Sequence, residues 1–214
     1  MAKKDRYGRR KGRESLVRRK PDLGYYFIAT DAKATEKNYL TGLKLSLPQN
    51  VQDRIAIKVT ETSTDNLVEK CKEQAAMQPQ YAEPWIVFDK DMVNDFDEII
   101  QKAESSGIKV GWSNPCIEIW FDAYFGNMHG YSNSKQCNYR FAETYERITG
   151  KEYNKAEEKI YNILNYFGDE EKAILIAEKR LANHKSGGTT KPSEMCPGTT
   201  LHELVREIRS KGSQ

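Results

Sequence analysis

No stretch of the 214-residue sequence approaches the roughly 20 consecutive apolar residues that a membrane helix requires, which excludes such a span. The basic first 20 residues are followed by no apolar run that could serve as the core of a secretory signal, so the expected location is the cytoplasm. Cysteine is scarce. Cys71, Cys116, Cys137 and Cys196 lie far apart and form no CxxC pair, which argues against a zinc site or a disulfide framework and for reduced thiols. His129, His184 and His202 show no metal-ligand spacing, and no Ser or Cys sits in a nucleophile-elbow context. A GxxxxGK[ST] phosphate loop is also missing, so any nucleotide-driven step needs a separate ATPase partner.

What is present is the composition of a globular chain: 38% apolar, 30% charged and 10% aromatic, long enough for one principal fold. The net charge of +3 is unevenly spread. Residues 1–20 carry ten Lys or Arg against Asp5 and Glu14, a net +8, which leaves −5 on the remainder. Such an arm, with Arg9, Arg10, Lys11 and Arg13 at its centre, can neutralise phosphates with a strong salt dependence. Equally, it can be a solubilising terminus.

Beyond the arm, apolar strand-like runs alternate with helical spacing. Gly24–Ala29 is followed by a helix through Tyr39, Leu40, Leu43 and Leu47. Arg54–Thr60 alternates apolar and polar residues as a half-buried strand does, and Thr64-Asp65 offers cap oxygens to a helix through Leu67, Val68 and Cys71. Pro84–Phe88 is a continuous apolar run suited to a central strand, Ile99, Ile100 and Ala103 mark the next helix, and Ile108–Trp112 is a fourth strand. The expectation is an α/β fold with a four-stranded, mostly parallel sheet. Ser113-Asn114-Pro115 predicts a capped helix over 116–125. Further helices are predicted over 138–148, 155–167, 170–184 and 199–211, with 186–192 as a flexible connector. The division expected is a basic arm (1–21), an α/β core (22–126) and a helical region (127–214). The apolar stripes at Tyr161, Leu164, Phe167, Ile174, Ile176 and Leu181 need a surface to cover, so the helical region should pack on the core.

Open α/β sheets bind ligands at the carboxyl rim of their strands. Here Asp31 follows the first strand, Asp89 and Asp91 the third, and Ser113-Asn114 the fourth. In an extended segment, carboxylates two residues apart face the same way and can share a hard cation such as Mg²⁺ or Mn²⁺. The competing reading is that these aspartates make turns or cap the next helix. Glu36 and Glu118 sit in first turns of helices, where acids favour the helix dipole, and also lie near the rim. Lys90, Asn114 and the regions of Arg140 and Lys185 are candidate contacts for nucleic acid.

Taken together, Asp31-Ala-Lys-Ala-Thr-Glu36-Lys-Asn-Tyr39, Val87-Phe-Asp89-Lys-Asp91, Ser113-Asn-Pro-Cys-Ile-Glu118-Ile-Trp120 and Pro197-Gly-Thr-Thr-Leu-His202-Glu-Leu-Val205 resemble, in order and spacing, the RloB-like protein family. That resemblance implies a Toprim-like first half and a role in anti-phage defence or abortive infection, with a separate ATPase encoded nearby. It further implies magnesium-dependent nuclease chemistry on DNA, RNA or tRNA, with Asp31 as general base or metal ligand and Asp89 and Asp91 as metal ligands. Glu36 and Glu118 match positions where catalytic duty is expected. The family's Glu-Gly stands here as Asp31-Ala32, a shorter acid in a stiffer turn. A displacement of about 1 Å can cost on the order of 10²-fold in rate. The alternative implied is a non-catalytic sensor or adaptor that binds nucleic acid or a phage component and signals to the ATPase.

Overall fold

The computed structural model describes residues 24–30, 34–60, 63–91 and 93–212. Strands β1 (Gly24–Thr30), β2 (Ile55–Val59), β3 (Tyr81–Asp89) and β4 (Lys109–Asn114) are mutually parallel. A two-residue β5 (Gly198–Thr199) pairs antiparallel with the end of β4, completing the order β2-β1-β3-β4-β5. The sheet is therefore five-stranded, one strand more than the periodicity predicts, because two residues are too few to leave a pattern.

Both faces of the sheet are covered, which is why β1 and β3 read as unbroken apolar runs. Phe27, Ala29, Ile86 and Phe88 pack beneath α3 (Thr64–Ala76) and α4 (Phe96–Ser105). Tyr26, Ile28, Trp85 and Val87 face the other way, toward α1 (Thr35–Leu45) and α5 (Glu118–Tyr124). Onto that second layer pack α7 (Ile160–Phe167), α8 (Glu170–Ser186) and α9 (Leu201–Gly212). Contacts of α7 with α1, α8 with α5 and α9 with β4 tie this later half of the chain to the sheet. Tyr161, Leu164, Ile174 and Leu181 are buried as their stripes require, whereas Phe167 is 40% exposed. A short α2 (Gln49–Gln52) and α6 (Ser134–Thr149) complete the helices among the described residues.

Several boundaries differ from the sequence expectation: α6 begins at Ser134 rather than at 138, and α9 at Leu201 rather than at 199, where β5 stands. The helix expected from Cys116 begins only at Glu118, and Asn114 does not cap it. Ser113 and Asn114 instead extend β4 and pair with Thr199 and Gly198, and the Asn114–Pro115 peptide is cis. At α3 the cap position falls on Ser63 rather than on Thr64-Asp65. The predicted helix over 155–167 is helical only from Ile160, because 155–156 is held instead as a loop against α1.

The order β2-β1-β3-β4 has a consequence for function. The chain leaves β1 toward β2 on one side and leaves β3 toward β4 on the other. The connections thus part above the C-terminal ends of β1 and β3, and such a switch point opens a crevice there.

A carboxylate cleft at the switch point

A cleft of 330 Å³ opens at that place, lined by Glu36, Asp89, Asp91, Glu118 and Lys155 with Thr35, Thr64, Val93 and Ile117. Each acid arrives on a different element. Asp89 is the last residue of β3, paired with Ser113 across the sheet. Asp91 follows where the chain turns away, its N–H donating to Pro115 O at 2.9 Å. Glu36 is in the first turn of α1 and Glu118 opens α5. Both glutamates are buried, at 6% and 1% exposure.

The electrostatics are those of acids crowded out of water. Asp89 Oδ2 accepts the Ile117 N–H at 3.0 Å. That bond lowers its pKa, but burial, followed by the charges of Glu36 and Glu118 and a hydrogen bond with Glu36, raises it well above the usual carboxylate value. Glu118 Oε1 accepts from Tyr153 OH at 3.0 Å and lies 3.4 Å from Lys155 Nζ. Its other oxygen, Oε2, is buried without a hydrogen-bond partner. Burial works against the Lys155 ammonium, yet the field of Glu118 and other neighbouring groups, Asp89 among them, outweighs it and raises the Lys155 pKa. Asp91 Oδ1 accepts from Ser134 Oγ, which fixes the first turn of α6 beside the cleft.

Lys155, Ser134 and Tyr153 are site residues that sequence reasoning missed. They come from segments with no motif, and only tertiary contacts place them. Thr35 Oγ1 donates to Lys155 O and Asn38 Nδ2 to Ala156 O, both at 3.1 Å, pinning that loop over α1.

Of the predicted site residues, the cleft unites Glu36, Asp89, Asp91 and Glu118. Asp31, Arg9, Arg10, Lys11 and Arg13 lie outside the described residues. Lys90 is half-buried between the two aspartates, its N–H bonded to Ser113 O at 2.8 Å. Asn114 is 2% exposed, and its side-chain amide donates to Pro192 O and Ser193 O, both at 3.0 Å, so it braces the 192–193 turn. A larger cavity of 840 Å³ lies by Trp85, Lys109, Glu203 and Glu207, and none of the cleft acids lines it.

A sequence profile of the family described as RloB-like protein matches residues 26–208. The chain belongs to the RloB-like protein family. Its matched span runs from β1 to α9 and includes every cleft residue named above. No curated protein and no solved structure gives a significant match to this RloB-like chain. Among its described residues, no helix is long and apolar enough to cross a membrane. Nor, among them, do three or more His, Cys, Asp or Glu side chains stand ready in a metal-ligand arrangement. The carboxylates are turned instead to Ile117, Ser134, Tyr153 and one another.

Proposed function

We propose that the switch-point cleft binds a divalent cation, Mg²⁺ or Mn²⁺, and hydrolyses phosphodiesters of nucleic acid in anti-phage defence. The observation that carries this reading is Glu118 Oε2, a carboxylate oxygen buried without a donor in a cleft where burial and the charges of Glu36 and Glu118 already press a proton onto Asp89. A buried acceptor left unpaired costs about 1–3 kcal/mol, and more when charged. A hard cation would satisfy that oxygen and relieve the repulsion at once.

The donor set fits such an ion in kind, since all its members are oxygens. Asp89, Glu118, Glu36 and Asp91 are the residues that would hold it, with Asp31 as the further ligand that the family resemblance implies. When bound, the ion would supply Lewis-acid stabilisation of charge developing on the phosphate. The chain's own residues would do the rest. Lys155 would offer its ammonium to a non-bridging phosphate oxygen, Ser134 would orient Asp91, and Tyr153 would hold the Glu118 rotamer.

The carboxylates have to swing from their present partners to form a closed ligand set. That observation favours a second reading, a sensor or adaptor that passes a signal to a partner ATPase without cutting. Incubating the chain with labelled tRNA, plasmid and single-stranded DNA in Mg²⁺ or Mn²⁺, with and without its neighbouring ATPase, separates the two. Cleavage that disappears in Glu118→Gln supports the hydrolase. Binding of nucleic acid without cleavage under every condition supports the sensor.

A further inference from the structure

A third concavity, of 580 Å³, lies beyond the cleft, between the loop His129–Tyr131 and the outer face of α6. On that face Gln136, Arg140, Glu143 and Arg147 follow one another at helical spacing. The groove is anchored to the cleft through two helices. The first turn of α6 holds Asp91 through Ser134. One turn along α5 from Glu118, about 6 Å by helical rise, Asp122 accepts from His129 Nδ1 at 3.2 Å.

The His129 pair is not a surface accident. Asp122 is 2% exposed, and burial raises its pKa while His129 pulls it down. A buried carboxylate holding an otherwise exposed imidazole fixes the ring's orientation and leaves Nε2 as its other polar atom. The groove is cationic in balance. The Arg147 side chain is exposed and, among the described residues, forms no salt bridge or side-chain hydrogen bond, although its charge reaches Asp122. Arg140 pairs with Glu143 at 3.0 Å, but both partners are exposed, and such a pair yields readily to a stronger anion. Aromatic faces accompany the charges. Tyr139 is 62% exposed with Arg140 5.8 Å from its ring centre, and Tyr131 lies 6.3 Å from the His129 ring. Tyr131 lines the groove half-buried and Tyr139 stands exposed at its margin, so cations and aromatic rings lie side by side as a single strand needs, phosphates on the charges and bases on the rings.

We propose that the groove between the His129–Tyr131 loop and α6 binds the phosphate backbone of a single-stranded nucleic acid and leads the strand to the carboxylate cleft. The proposal rests on the nucleic-acid reading of that cleft. From Ser134 to Arg147 α6 rises about 20 Å, enough for about six nucleotides of stacked strand.

The test is fluorescence anisotropy of a labelled oligothymidylate and an oligouridylate on the full chain, in chelator so that metal binding plays no part, over a series of salt concentrations. Arg140→Ala with Arg147→Ala alters exposed side chains, and an unchanged melting temperature confirms the fold. The double variant is expected to bind at least tenfold more weakly at low salt. The slope of log affinity against log salt should fall by about 1.4, two phosphate contacts at about 0.7 each. The basic arm, present in every protein compared, drops out of the difference. Wild-type binding that the double variant reproduces in strength and slope overturns the groove and leaves the carboxylate reading standing. A wild type that binds neither oligonucleotide at any salt also overturns the groove, and the cleavage assay on tRNA and plasmid then decides the carboxylate reading separately. Inorganic phosphate that raises the wild-type but not the double-variant melting temperature, with no strand bound, assigns the groove to a free anion and overturns the strand.

Discussion

Glu118 brings two acceptor oxygens into a layer of aromatic rings, and only one of them finds donors. Its place at the start of α5 is favourable for an acid in any helix, so the sequence offers two explanations for it and decides neither. Burial to 1% exposure and the unpaired Oε2 separate them, and neither is visible in a string of letters. Asp89 was easier to read, because the most apolar strand delivers it to the rim. His202 shows how burial also sets pH behaviour away from the site. It is 3% exposed, and although its Nδ1 lies 2.9 Å from Thr199 O, desolvation lowers its pKa below the ordinary value near 6.5. The unfolded chain therefore binds the proton more readily than the folded one, and the stability this neutral ring contributes is lost as pH falls below about 6.5. Urea unfolding at pH 8 and pH 5 should show the wild type losing more stability on acidification than His202→Gln. An equal loss in both would mean that His202 titrates alike in the folded and unfolded chains.

Helices place the acids, and their packing depends on close approach. Gly42 of α1 lies so near α7 that a Cβ there would meet Tyr161 Cβ at 2.4 Å. Alanine is the better helix former by about 1 kcal/mol, so an unpacked α1 would gain from Gly42→Ala. The packed chain should instead lose about 2 kcal/mol as α1 and α7 are forced apart, with weaker metal binding because α1 carries Glu36. A variant as stable as wild type would show that α1 is not held against α7 as described. The error at 113–117 belongs to this scale too. Ser-Asn-Pro is a sound helix-start signal, but Ser113 Oγ shares a hydrogen bond with Thr199 Oγ1 86 positions away. Thr200 Oγ1 likewise donates to Val110 O and accepts the Trp112 N–H. Local patterning carries β1 to β4 and α1, α3 and α4 well, because each repeats its period over several turns or residues. It cannot show a two-residue strand whose partner is distant in sequence.

For the whole molecule, the strand order fixes where chemistry can happen. Because β1 and β3 are neighbours whose connections diverge, the ends of these strands and the starts of α1 and α5 converge on one crevice. The acids at 36, 89, 91 and 118 were each legible in the sequence as rim candidates, but their union was not, since it depends on an order that periodicity does not encode. Lys155 and Ser134 were illegible for the same reason. The most direct test of the central claim is a Mg²⁺ and Mn²⁺ titration by calorimetry on wild type and Asp89→Asn, with melting temperatures recorded on the same samples. Saturable binding is expected in the wild type, adding about 2.7 kcal/mol of stability at 100 times the dissociation constant. Asp89→Asn should lose both heat and shift while melting no lower than the metal-free wild type. Wild-type protein that neither binds nor is stabilised by either ion, or an Asp89→Asn variant that binds as tightly as wild type, would contradict the account.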